Sequence, residues 1–235
     1  MMQNQSPSAT PTQLGVRPTA ALSVGFLSQS FAWMFVGLLL TGAVAWVVQG
    51  SETLTSAAAQ WYLPVMIGQF ILVIAISGGI NKLSATAALG LFLVYAATMG
   101  VTLSFIFIVY DLGSIAAAFV SAAGMFGAAA VYGAVTKRSL ASIGGYLFMG
   151  LIGLIIAMFL NLFLLHSSQF DLVLSIFGVG LFVGLTAWHV QRIANGDLAA
   201  YTGSMEKGAV LGALSLYLDF INIFLFLLRI FGGRR

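Results

Sequence analysis

Four ionisable side chains lie within or at the ends of long apolar stretches of this chain: His189, Arg192, Asp219 and Arg229. Asp219 is the deepest. It sits in the middle of Gly208 to Ile230, GAVLGALSLYLDFINIFLFLLRI, a run long enough to cross ~30 Å of hydrocarbon. A carboxylate at mid-span costs about 2.5–3.5 kcal/mol on insertion scales. The fourteen Leu, Ile, Phe and Val residues of the run, at about −0.3 to −0.6 kcal/mol each, still carry it into the bilayer. The span tolerates Asp219 rather than needing it, and a carboxylate kept at that depth reads as functional. At 100° per residue, Gly208, Gly212, Ser215, Asp219 and Asn222 share one narrow face. A stripe of small and polar residues faces other helices or a watery cavity, not lipid. This helix is therefore expected at the centre of a bundle.

His189 is the second candidate. It lies late in its own apolar run, in GLTAWHVQRI, on a face shared with Ser175, Gly178, Phe182 and Thr186. Two readings remain open at this point. It is an interfacial histidine beside Trp188 in an aromatic belt, or a buried group titrating near neutral pH. Gln69 and Asn161 are single polar residues within spans, expected to hydrogen-bond between helices.

Other chemistries lack their parts. With no cysteine, a thiolate nucleophile, a disulfide framework or a Cys-ligated metal is excluded. A metal site wants three or more converging ligands, and too few His, Asp and Glu residues are placed to supply one. A nucleophilic serine needs a base within reach, and no Gly-x-Ser-x-Gly stretch is present. No second mid-span aspartate exists for a di-aspartyl protease, and no lysine in the last span for retinal. The protein is not expected to be an enzyme, nor to carry a cofactor or a resident metal.

The surrounding elements are helical and membrane-spanning. Hydrophobic residues make up 60% of the chain and charged residues 6%, with a mean hydropathy of +1.06; soluble domains carry about 25% charged residues. Seven apolar runs cover roughly 29–49, 61–81, 85–109, 114–136, 144–165, 172–193 and 208–230. The expected fold is an all-α, seven-helix polytopic membrane protein with its last helix central. Its partner is the lipid bilayer, not nucleic acid, although the net charge is +3. Residues 1–27, rich in Ser, Thr, Gln and Pro, read as a disordered tail; residues 28–235 form the transmembrane domain. Loops this short confine function to the bundle. With the N-terminus in the cytoplasm, Arg17, Lys82, Lys137, Arg138, Arg192 and Lys207 lie inside, while Glu52, Asp111, His166 and Asp171 lie outside. Arg234 and Arg235 break this pattern. Either the C-terminal tail is outside or the last segment turns back. The four-residue spacings Gly180–Gly184 and Gly208–Gly212 suggest close helix contact.

Two stretches resemble the Bax inhibitor-1 family, also called the transmembrane Bax inhibitor motif family: LFVGLTAWHVQR over 181–192 and LYLDFINIFLFLLRIFG over 216–232. The likeness extends through Phe126-Gly127 and Tyr132 to Arg138, and covers essentially the whole chain after the tail. It is closest to bacterial members, which implies a bacterial inner membrane. The resemblance also implies a last helix surrounded by the other six and a pH-sensitive leak with calcium as the permeating ion. Two aspartates on the sixth and seventh spans would sense pH. Asp219 matches the second. His189 occupies the position of the first, after Trp188 in place of a tyrosine. A basic gate near the cytoplasmic end of the second span has Lys82 as its nearby candidate.

A histidine–carboxylate pair differs from two carboxylates, which share a proton because both cannot ionise cheaply. It locks as an ion pair when the imidazole is protonated and loosens when that proton leaves. One carboxylate fewer also weakens a site for a hard cation. Asp219 and His189 are thus the expected pH-sensing and ion-path residues, with Ser215, Asn222 and Thr186 as a supporting polar stripe. The alternative is a non-conducting interaction protein that modulates membrane proteins such as a quality-control protease, or stress responses. One geometric difficulty stands. Asp219 lies about 16 Å along a helix that starts at Gly208, whereas His189 is about one turn from a membrane edge.

Overall fold

A computed structural model describes residues 20–232, with side chains from Val24 onward. Among the described residues ten α-helices run in the order α1 (Ala20–Gln49), α2 (Glu52–Gln60), α3 (Tyr62–Gly79), α4 (Ala85–Leu103), α5 (Ile106–Val109), α6 (Leu112–Val135), α7 (Ala141–Leu160), α8 (Ser168–Ala194), α9 (Asp197–Thr202) and α10 (Met205–Phe231). Seven segments are long and apolar enough to cross a membrane, and each coincides with an expected run to within a few residues. The protein is an all-α polytopic membrane protein.

The expected tail needs correction at its end. Residues 1–19 and Arg17 with them, like Arg234 and Arg235, lie outside the described residues. Helix α1, however, already includes residues 20–27, with Ala-Ala-Leu, all good helix formers, among them.

Helix α10 is the axis of the bundle. Of its spanning window 78% is buried, against 50% for α8 and 11–33% for the other five spans. It packs on α8, α1, α6 and α4. The ring is not complete, because α3 packs chiefly against α4, and α7 against α8 and the short π-helical turn that follows it. The expectation of six surrounding helices is therefore too even: α3 and α7 form an outer layer. Edge-to-face rings fill the α6–α10 seam, with Phe119 5.4 Å and Phe126 5.6 Å from Phe220. At Gly178 the Phe226 ring lies where a Cβ would sit, 2.6 Å away. The outward faces of α3 and α7 are large exposed apolar side chains such as Phe70, Ile74, Met149 and Phe159, as lipid requires.

The capping groups are legible from sequence. Asp111 accepts from the Ser114 amide at 2.9 Å and the Ser114 hydroxyl at 2.7 Å, opening α6. These bonds favour the ionised form and hold its carboxyl below the ordinary value. A depressed carboxyl stabilises above its unfolded pKa and loses that contribution only as pH falls through the folded value. This cap therefore persists throughout the neutral range.

Helix α10 is unbroken from Met205 to Phe231. Its last turn meets Asp171 at the start of α8, and Gly232 lies against the ring of Tyr110. It therefore crosses to the end opposite Lys207 rather than turning back. Of the two spaced glycine pairs, Gly208 lies against the Ala199 backbone and Gly212 against Ser30 and Ile193. Gly184 meets Leu147, but Gly180 has nothing within 4 Å, so spacing alone misread it.

Candidate functional site

The structure brings the two ionisable candidates together. His189 Nδ1 lies 2.6 Å from Asp219 Oδ2, joining α8 to α10. Asp219 is 2% exposed and the His189 side chain 16%. Where Asp219 is ionised it can only accept, and Nδ1 then carries the proton. In a membrane interior a lone charge is costly, and a paired, hydrogen-bonded one is the form that persists.

The neighbours orient the imidazole. The Trp188 ring centroid is 5.0 Å from that of His189, and the Arg192 guanidinium lies 4.7 Å over the Trp188 ring. Trp188 in turn covers Gly144 of α7, where no Cβ would fit. Behind the histidine, α6 lies against Ala187 at Gly133, again with no room for a side chain. Gln191 fixes the end of α8. Its Oε1 accepts from the Leu140 amide at 2.7 Å and its Nε2 donates to the Arg138 carbonyl at 2.8 Å.

The depth difficulty is resolved by α9. Asp219 is 14 residues into α10, about 21 Å along the axis, while His189 is five residues before the end of α8. The chain leaves α8 through Gly196, at φ 78°, and leaves α9 through Gly203, at φ 65°. Both need the left-handed region that glycine adopts freely. Helix α9 packs against the first turns of α10, the Ala199 amide lying 2.9 Å from where a Gly208 Cβ would be. So α10 starts well beyond the end of α8, and its fifteenth residue meets His189.

The stripe residues do not reach the carboxylate. Thr186 donates to the Phe182 carbonyl at 2.8 Å, Ser215 to Leu211 at 3.0 Å and Asn222 to Leu218 at 2.7 Å. Each satisfies its own helix. Thr186 is fully buried, but Ser215 and Asn222 are half-buried, with Leu218 and Leu225 beside them. Ser215 lines a cleft shared with Ser77 of α3 and Arg192 of α8. Lys82 is exposed in the α3–α4 connection, where the Lys207 ammonium reaches the Asn81 carbonyl at 3.4 Å. It is at the basic end of the bundle, not beside the pair. Gln69 donates to Thr102 at 2.8 Å between α3 and α4, as expected of helix–helix glue. Asn161 instead ties its own connection, exchanging two bonds with Ser167.

A polar junction was not legible in the sequence. Tyr217 is wholly buried, and its hydroxyl lies 2.7 Å from Thr41 Oγ1. That oxygen is also 2.8 Å from the Ala96 carbonyl and 2.9 Å from the Gly37 carbonyl. Thr41 has one proton to give, so Tyr217 donates to it and Thr41 donates onward. Helices α1, α4 and α10 are thereby pinned together on the side of α10 away from Asp219. The available signal was a tyrosine and a threonine at mid-span, both of which need partners there.

Comparison with known proteins fits this architecture. Residues 24–235 match the family model described as "Inhibitor of apoptosis-promoting Bax1". The chain belongs to the Bax inhibitor-1 family. It is 46% identical over 226 residues to the inner membrane protein YbhL of Escherichia coli K12, covering 94% of this chain and 96% of that protein. A Borreliella burgdorferi protein is 43% identical over 215 residues, covering 89% and 92%. A Deinococcus radiodurans protein is 41% identical over 210 residues, covering 89% and 90%. The family extends over every element that positions the His189–Asp219 contact.

Proposed function

We propose that this protein is a pH-responsive cation leak protein of the bacterial inner membrane, with calcium as the permeating ion and its N-terminus in the cytoplasm. The observation that carries the reading is the 2.6 Å His189–Asp219 contact on the central helix. It joins a carboxylate at membrane depth to a histidine, the side-chain type whose ordinary charge change lies nearest neutral pH. Protonated His189 ties α8 to α10 as an ion pair and holds the closed arrangement. Loss of that proton removes the charge attraction and leaves the Asp219 carboxylate hydrogen-bonded to a neutral imidazole, so leak rises with pH. The inner-membrane location follows from the basic connections and from the relative named for that membrane.

The test is calcium flux into liposomes holding purified protein. Asp219→Asn keeps the shape and removes the charge. It is expected to insert normally and to change flux about tenfold, the equivalent of ~1.4 kcal/mol. Unchanged flux in the folded variant removes Asp219 from the ion path. Wild-type vesicles without flux, from protein that co-purifies with a membrane protease, would favour the interaction-protein reading instead.

A further inference from the structure

The gap in the ring around α10 has a chemical character of its own. Near the basic end lies a cleft of about 270 Å³ lined by Ser77 of α3, Arg192 of α8, Leu198 and Tyr201 of α9, and Leu211 and Ser215 of α10. Arg192 is the formal charge on this lining. Among the described residues it makes no ion pair. Its guanidinium lies 4.7 Å over the Trp188 ring, and a guanidinium carries five N–H donors for an acceptor. The hydroxyls of Ser77 and Tyr201 take no hydrogen-bond partner among the described residues. Ser215 donates to its own helix.

The rim adds positive charge. Lys207, Leu211 and Ser215 follow at four-residue spacing on one face of α10, and Lys207 reaches Asn81, next to Lys82. Of the acids at this end, Glu206 is exposed in the first turn of α10 and Asp197 is engaged in a contact of its own. Farther along the same face of α10, Leu218 and Leu225 are half-buried on either side of Asn222. A cationic, hydroxyl-lined mouth with half-buried leucines farther along the same helix face matches an amphiphile with an anionic head. Basic pockets between spanning helices hold such headgroups.

We propose that this groove binds an anionic phospholipid, its phosphate on Arg192 with Ser77 and Tyr201, and an acyl chain along Leu218 and Leu225. The site is independent of whether the protein conducts. Native mass spectrometry of the purified full chain with added phosphatidylglycerol tests it, with phosphatidylcholine and inorganic phosphate as comparison probes. Wild type is expected to retain one phosphatidylglycerol and to bind phosphatidylcholine weakly. Arg192→Gln is expected to weaken the complex by at least about tenfold through loss of a charge-assisted contact. Ser77→Phe fills the mouth without touching Arg192 and is expected to do the same, so a folding defect in one variant does not decide the result. Lys137→Gln removes a cation at another connection and is expected to change nothing. Equal losses for Arg192→Gln and Lys137→Gln, or full retention in Ser77→Phe, would mean unspecific annular lipid and overturn the proposal. Competition by inorganic phosphate as effective as by lipid would mean a free-anion site and would also overturn it.

Discussion

Helices α8 and α10 are joined at two levels by pairs of opposite design. Near the basic end His189 and Asp219 meet at 2.6 Å, with 16% and 2% of their side chains exposed. At the acidic end Arg229 and Asp171 meet at 3.5 Å, each about a third exposed. The second pair competes with water and couples residue types that keep their charges near neutrality. The first is shielded, and one partner is the side-chain type that changes charge there. On the proposed reading, the same two helices carry a fastening indifferent to pH at one end and a responsive one at the other.

The comparison can be broken most severely at Gly133. The α6 backbone there lies against Ala187, and Gly133→Leu must push α8 outward beside His189. Overpacking costs ~1–3 kcal/mol or more, and a loss of folded, monodisperse protein on size exclusion is expected. Next come the two pairs themselves, compared by double-mutant cycles on thermal or denaturant stability. Asp219→Asn with His189→Asn is expected to show a coupling of ~1–2 kcal/mol, larger at pH 5.5 than at pH 8. Tyr217→Phe removes only the hydroxyl at the Thr41 junction and should cost ~1 kcal/mol, leaving any pH response unchanged. Smallest is Asp171→Asn with Arg229→Gln, with a coupling of ~0–1 kcal/mol that stays flat with pH. Equal couplings at the two ends would erase the distinction between them.

Much of this arrangement is legible in the sequence, for identifiable reasons. Hydropathy marks the spans because the bilayer requires a fixed apolar length. The polar stripe on Gly208 to Asn222 marks α10 as central because lipid rejects such a face. The meeting of His189 with Asp219 was harder to see. It depends on α9, six residues hidden in a polar connection, and on two positive-φ glycines that displace the start of α10. The Thr41–Tyr217 junction escaped because aromatic residues in an apolar run read as packing, and the hydroxyl carries no periodic signal. Gly180 was overread because spacing says which residues share a face, not what lies opposite. The half-open side of α10 depends on α3 packing against α4 instead of α10, a tertiary choice that no single-helix pattern encodes.

The central claim is that His189 makes the α8–α10 contact responsive to pH. Calcium flux into liposomes between pH 5.5 and 8, for wild type and His189→Gln, tests it most directly. Glutamine can still donate to Asp219 but carries no titrating charge. Wild-type flux should rise with pH, and His189→Gln should give the same flux throughout. A His189→Gln profile that follows wild type, or a wild-type flux greatest at pH 5.5, would contradict the account.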